Sequence, residues 1–291
     1  MDILKVTTPR GLELKGAIFG DNSNDTVLIM LTGICSNVFQ NELLYTTGKL
    51  LSENGITCII AHAHDSFSCF AYSDFSTGKQ RHAGTFNDDF NMVYEDVESY
   101  VKYAREMGFE NIILAGHSLG SNKIIHYLGN TPDNFVDYFI VSSPVDIMYW
   151  WTVMPNIDSC FAMAKNWVDE GRGDDILPFL FGGFSPMTAN TVLGFYNADN
   201  LKNCPVLSGQ GETNSLYNIK PNGSFVIGSR DSVTGESPKR FMETLNSWTR
   251  DPKHNQVIEV ENASHIFYGK HKEYADTIMG CIEHYKSLCA V

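Results

Sequence analysis

The chain has 291 residues, of which 43% are hydrophobic and 19% charged, with a formal net charge of −13 at pH 7. Such a chain can bury one large core, and its apolar content excludes an intrinsically disordered polypeptide. The acidic excess excludes a phosphate-backbone binder, whose field must attract a polyanion, so no nucleic-acid partner is expected.

In chain order, Gly11–Phe19 and Thr26–Leu31 read as strands, the second almost wholly apolar as a buried parallel strand requires. Ile56–Ala61 is another. Phe90–Met107 carries Phe90, Val93, Val97, Val101 and Ala104 at three- and four-residue steps, one apolar face of a helix. Asn111–Gly116 is the next strand and Ser121–Leu128 the next helix. Val136–Val141, Ser224–Ile227 and Gln256–Val260 complete the strands, and His271–Leu288 closes the chain as a helix. Strands alternating with helices need crossover connections, so the expected fold class is α/β: one domain over 1–291, with a mostly parallel sheet covered on both faces. Residues 144–205 break this rhythm. They are rich in Trp, Met and Phe and hold no clean strand, which predicts a helical cap inserted into the domain.

The longest apolar runs, such as Val27–Leu31, are too short to cross a bilayer, and no membrane partner is expected. Met1–Lys5 lacks a basic segment leading into an apolar stretch, so no secretory signal is read. The seven cysteines include no Cys-x-x-Cys pair, and their odd number fits reduced thiols and a cytoplasmic location.

Gly116-His117-Ser118-Leu119-Gly120 matches G-x-S-x-G. By composition alone roughly 0.1 such matches are expected by chance in a chain of this length, so context must supply the specificity. Here the motif follows the apolar run Ile112–Ala115 and opens the helical stretch at Ser121, the strand–turn–helix setting that exposes a nucleophilic hydroxyl. A serine needs a base to take its proton. Of the histidines that follow, His254 precedes its strand and would lie at the wrong end, while His271 and His284 fall in the final helix. His265 lies just beyond the carboxyl end of Gln256–Val260, where reactive groups of parallel sheets gather. The carboxylate that orients the imidazole is assigned to Asp231, just past Ser224–Ile227, in preference to Asp146 after Val136–Val141. Oxyanion donors are expected at the backbone N–H groups of Leu119 and Ile34, with Gly33 allowing the close turn.

With these residues in the order Ser118, Asp231, His265, the chain resembles the α/β-hydrolase superfamily over essentially its whole length. More narrowly, Asp96-Val97-Glu98, Gly116–Gly120 and the segment Ala164–Pro178, with Gly171 and Leu177-Pro178, resemble the group that includes fungal siderophore ester hydrolases. The resemblance implies a serine esterase acting on a bulky small-molecule ester. Thr32 departs from the His-Gly common at the oxyanion loop of the superfamily, a change that leaves donation by the backbone unaffected. Thioesterase, amidase and acyltransferase chemistry use the same residues, and a non-catalytic ligand-binding protein on this fold is the alternative from another class.

Gly33, Cys35, His64, Trp150 and Trp151 are expected to line the substrate pocket. The aromatic cap residues favour an apolar or aromatic substrate. His62-Ala63-His64-Asp65 has the look of a metal motif, but the spacing is short by one and no second ligand cluster appears, so no metal and no cofactor is expected.

Overall fold

A computed structural model describes residues 1–183 and 185–289. The chain opens with strands β1 (Asp2–Thr7), β2 (Glu13–Phe19) and β3 (Thr26–Leu31), then helix α1 (Glu42–Glu53) and strand β4 (Thr57–Ala61). A hairpin, β5 (Phe70–Asp74) and β6 (Lys79–Ala83), precedes α2 (Val93–Glu106), β7 (Asn111–His117), α3 (Leu119–Asn130) and β8 (Tyr138–Ser142). A long excursion then carries α4 (Ile147–Val153), α5 (Ile157–Asp169), β9 (Ile176–Phe181), β10 (Ser185–Thr188) and α6 (Ala189–Asn197). After α7 (Asn214–Asn218) the chain returns through β11 (Gly223–Gly228), α8 (Pro238–Ser247), β12 (Gln256–Val260) and α9 (His271–Cys289).

Eight strands form the central sheet in the order β1-β2-β4-β3-β7-β8-β11-β12. From β4 to β12 every pairing is parallel, and β2 alone runs against the rest. Successive residues of β3 divide between the two faces: Val27, Ile29 and Leu31 join one apolar layer, Leu28 and Met30 the other. A strand buried on both sides must be apolar throughout, which is why this run carries no polar alternation. Helices α2, α3 and α8 cover the first face; α1 and α9 pack on the second. Among the described residues, no helix is long and apolar enough to cross a membrane.

The structure adds elements that the sequence pattern does not announce. The edge strand β1, helices α1 and α8, and the hairpin β5–β6 are among them. Four of the five residues of β6 are exposed, so this strand has no apolar alternation to read. The excursion of residues 144–205 is helical as expected, and it also holds the β9–β10 hairpin, which turns through Gly182 and Gly183 at φ 62° and 78°. It contributes no strand to the central sheet.

Candidate active site

Three loops at the carboxyl ends of the parallel strands meet above the sheet. At the first, β7 passes into α3 through Ser118, whose backbone is held at φ 55°, ψ −128°. A non-glycine residue pays for this conformation, and the flanking glycines make the turn possible. A Cβ on Gly116 would lie 2.3 Å from the carbonyl oxygen of Gly120, and one on Gly120 would lie 2.3 Å from that of Leu31. The turn therefore presses strand, helix and the β3 terminus together, with the Ser118 hydroxyl at the opening of α3.

The second and third loops follow β11 and β12, and are tied to each other by backbone hydrogen bonds from Ser229 to Val260 and from Arg230 to Ala263. Gly228 permits this contact, since a Cβ there would sit 2.4 Å from the Ala263 carbonyl. The loops bring Asp231 and His265 into register with Ser118. His265 Nε2 lies 3.0 Å from Ser118 Oγ, and His265 Nδ1 lies 3.0 and 3.2 Å from the two carboxylate oxygens of Asp231. Because an ionised carboxylate only accepts, Nδ1 carries the proton and Nε2 is free to accept from the serine. The Asp231 carboxylate is buried, which by itself raises its pKa, but the hydrogen bonds and charge of His265 outweigh this and hold it below the usual carboxylate range. Its Oδ1 also caps the turn that follows, accepting from Val233 N–H at 3.0 Å.

Ser118 opens onto a cavity of about 320 Å³. Its polar wall includes Gly33, Ser36, Asn41, His117 and His265, with Ile34 and Leu119 beside the serine. A Cβ on Gly33 would lie 3.1 Å from Ser118 Cβ, so the loop after β3 approaches the serine closely because it has glycine there. Leu119 begins α3, so its N–H is one of the first-turn donors that a helix cannot satisfy internally. The far wall is apolar: Val145, Ile147, Trp150, Trp151, Phe181 and Phe195, five of the six from helices and strand of the excursion.

These observations sort the expected residues. Ser118, His265 and Asp231 form one hydrogen-bonded chain, and Gly33, Ile34, Leu119, Trp150 and Trp151 share the cavity with it. Cys35 does not line the cavity; its thiol donates to Thr85 Oγ1 at 3.1 Å, which in turn donates to the Asp65 carbonyl at 2.6 Å. His64 also stands apart. Its ring is clamped between Asp88 and Asp96, 2.6 Å from the latter, and Arg10 closes the network on Asp96. Burial opposes the charge on His64, but the two carboxylates raise its pKa well above the ordinary value, so the ring is an imidazolium serving a buried ion cluster. Asp146 serves as the N-cap of α4 and accepts from Leu207 and Ser208 N–H, each at 2.8 Å. His62 accepts from Val38 N–H at 3.0 Å, so the two histidines of the His62–Asp65 segment face different partners. Among the described residues no group of three or more His, Cys, Asp or Glu side chains is arranged to hold a metal ion.

Two residues that bear on the site were not read from the sequence. His117, the variable position of the serine motif, donates from Nε2 to the His265 carbonyl at 2.8 Å and packs against Phe267. Burial, and secondarily the proximity of His265, push it down to about 4, so it is neutral at pH 7 and puts no positive charge beside a forming imidazolium. Lys123 on α3 is 1% exposed, pairs with Asp65 and points toward the Thr32 carbonyl at 3.5 Å, while Thr32 Oγ1 meets Ser66 Oγ at 2.8 Å. This buried pair braces the loop that carries Gly33 and Ile34. A lysine between the apolar positions of α3 is the signal that was available, since a buried ammonium requires a partner.

The α/β-hydrolase GrgF from Penicillium sp. sh18 superposes at a TM-score of 0.69 and 15% identity, covering 100% of this chain and 99% of that one. The chain has the α/β-hydrolase fold. Est1E from Butyrivibrio proteoclasticus shares this hydrolase fold at a TM-score of 0.62 and 12% identity, with 99% and 100% of the two chains covered; it has also been solved with ferulic acid bound. The Pyrococcus furiosus esterase Pf2001 is similar at 0.58 and 16%, covering 98% and 90%. Residues 71–198 match the family described as protein of unknown function (DUF1749), a stretch that runs from β5 through α6 of the hydrolase fold. A search of curated proteins finds no match.

Proposed function

We propose that this protein is a serine hydrolase that cleaves carboxylic esters of small apolar or aromatic molecules through an acyl-enzyme. The observation that carries this reading is the continuous chain Ser118 Oγ, His265 Nε2, His265 Nδ1, Asp231 at the wall of an apolar cavity, with every link between 3.0 and 3.2 Å. Those are the distances at which a general base removes a hydroxyl proton. The similarity of the fold to that of the Pyrococcus furiosus esterase Pf2001 is in keeping with it.

In this reading His265 Nε2 takes the Ser118 proton as Oγ bonds to the ester carbonyl carbon. The carbonyl oxygen becomes an oxyanion held by the N–H groups of Leu119 and Ile34, where each donor lowers the barrier by about 3 kcal/mol. Asp231 stabilises the imidazolium without taking its proton. Collapse expels the alcohol, which receives the proton from Nε2. Water then attacks the acyl-serine, gives its proton to Nε2, and release of the acid returns that proton to Oγ. His117 fixes the loop of His265 from behind. Residues 144–205 act as the cap that supplies the apolar wall.

A fluorophosphonate should label Ser118, and p-nitrophenyl esters should be turned over with an initial burst equal to the enzyme present. Turnover that survives Ser118→Ala would overturn the assignment. Measurable affinity for esters without any turnover or labelling would favour a binding protein on the same fold.

A further inference from the structure

Among the described residues, one buried hydroxyl has no formed hydrogen bond: Oγ of Ser143, a residue 0% exposed. Folded proteins leave few buried donors unpaired, and each exception calls for a physical reason. Ser143 is the first residue after β8. Its N–H donates to the Val226 carbonyl on β11 at 3.0 Å, and the carbonyl of the preceding Ser142 accepts from Ser118 N–H at 3.0 Å. Backbone hydrogen bonds therefore fix Ser143 between the turn that carries the nucleophile and the strand whose end carries Asp231. Its φ is 47°, a left-handed value that glycine adopts more readily than serine. The backbone alone is served better by glycine, so the reason for this residue lies in its side chain.

The Asp231 carboxylate is 1% exposed, and an ionised carboxylate has about four acceptor positions. Oδ1 accepts from Val233 N–H and His265 Nδ1; among the described residues Oδ2 forms a hydrogen bond with His265 Nδ1 alone. Burial raises the pKa of Asp231, and the groups that lower it are His265 first, then the Ser143 hydroxyl, then the Val233 N–H. The hydroxyl is therefore close enough to act on this carboxylate, and rotation about its Cα–Cβ bond turns it without moving the backbone. We propose that Ser143 is a positioning residue for the acyl transfer: its hydroxyl donates to Asp231 Oδ2 and holds the carboxylate toward His265 as the imidazolium forms. It touches neither the substrate nor the reacting atoms and works through Asp231. This rests on the acyl-hydrolase reading above and adds a fourth side chain to its machinery.

Two variants remove the hydroxyl and differ in their demand on the backbone. Ser143→Ala keeps the Cβ, whereas Ser143→Gly also suits the left-handed conformation and should melt no lower than Ser143→Ala. Each should lower kcat for p-nitrophenyl esters by about tenfold with KM little changed. In an Asp231→Ala background there is no carboxylate to position. Adding Ser143→Ala there should leave the rate of fluorophosphonate labelling of Ser118 within about twofold, whereas a general loosening of the fold lowers it again. The low-field proton resonance of the His265–Asp231 hydrogen bond is a readout that needs no turnover, and it should shift in Ser143→Ala. Unchanged kcat in both variants, or a further loss of about tenfold in the Asp231→Ala background, overturns the proposal while leaving ester hydrolysis standing. If the wild-type protein turns over no ester, the hydrolysis reading fails instead. The resonance then decides: a shift in Ser143→Ala supports the hydrogen bond to Asp231, and an unchanged resonance refutes it.

Discussion

Replacing His117 with phenylalanine removes one hydrogen bond and one titration, and in acid these two losses have opposite signs. The ring size and the contact with Phe267 are nearly conserved, but the donor to the His265 carbonyl is gone. An acceptor left unpaired in a buried setting costs about 1–3 kcal/mol, so His117→Phe should be less stable than the wild type by that amount near neutrality. Burial, and next the neighbouring His265, lower His117 from 6.5 to about 4. Between these values the unfolded chain binds a proton that the folded chain refuses. Stability from the neutral ring is therefore complete above about pH 6.5 and lost as the pH falls toward about 4. The gap of about 2.5 units, at 1.36 kcal/mol each, amounts to about 3 kcal/mol at the acid end. The variant has no such loss, and acid-sensitive groups shared by both proteins, among them His62 and Asp96, cancel in the difference. Urea unfolding followed by tryptophan fluorescence across this range should show the two stability curves converging as the pH falls and meeting between about pH 6 and about pH 4, where the wild-type loss equals the deficit of the variant. A difference that stays constant with pH would refute the assignment of the acid sensitivity to His117. In the ester assay the loosened His265 loop should lower kcat by about tenfold with little change in KM.

Two further outcomes separate the chemistry from its support. Asp231→Asn should reduce kcat by about 10⁴-fold, because the amide no longer fixes the tautomer of His265 or stabilises its cation. Asp146→Asn should instead raise KM and lower the melting temperature, since Asp146 caps α4 and holds the Leu207–Ser208 segment; equal kcat losses in the two variants would contradict the geometry. Lys123→Met strands the buried Asp65 carboxylate and should cost about 3–5 kcal/mol of unfolding free energy, while Lys123→Met combined with Asp65→Leu should recover most of that. Additive losses in the double variant, measured by denaturant titration, would show that the pair is not coupled.

The residue order along the chain was sufficient to find the parallel core. Thr26–Leu31 and Gln256–Val260 are strands at the bounds read from the sequence, because an element buried on both faces, or ended by turn residues, writes its limits into local composition. The same logic placed Ser118, Asp231 and His265 beyond strand ends, and the tertiary structure joins them through hydrogen bonds spanning 147 and 34 residues. Elements with solvated or mixed surfaces, such as β6 and the β9–β10 hairpin, left no such mark. The fates of His64 and Cys35 lay outside local pattern altogether. Both follow strands at the correct end of the sheet, yet His64 is drawn under the surface by Asp88 and Asp96, contributed by later segments, and Cys35 turns to Thr85. Position relative to a strand is a local property that sequence can carry. The direction a side chain takes from that position depends on charges and hydrogen-bond partners brought from elsewhere in the chain, and only the folded structure decides it.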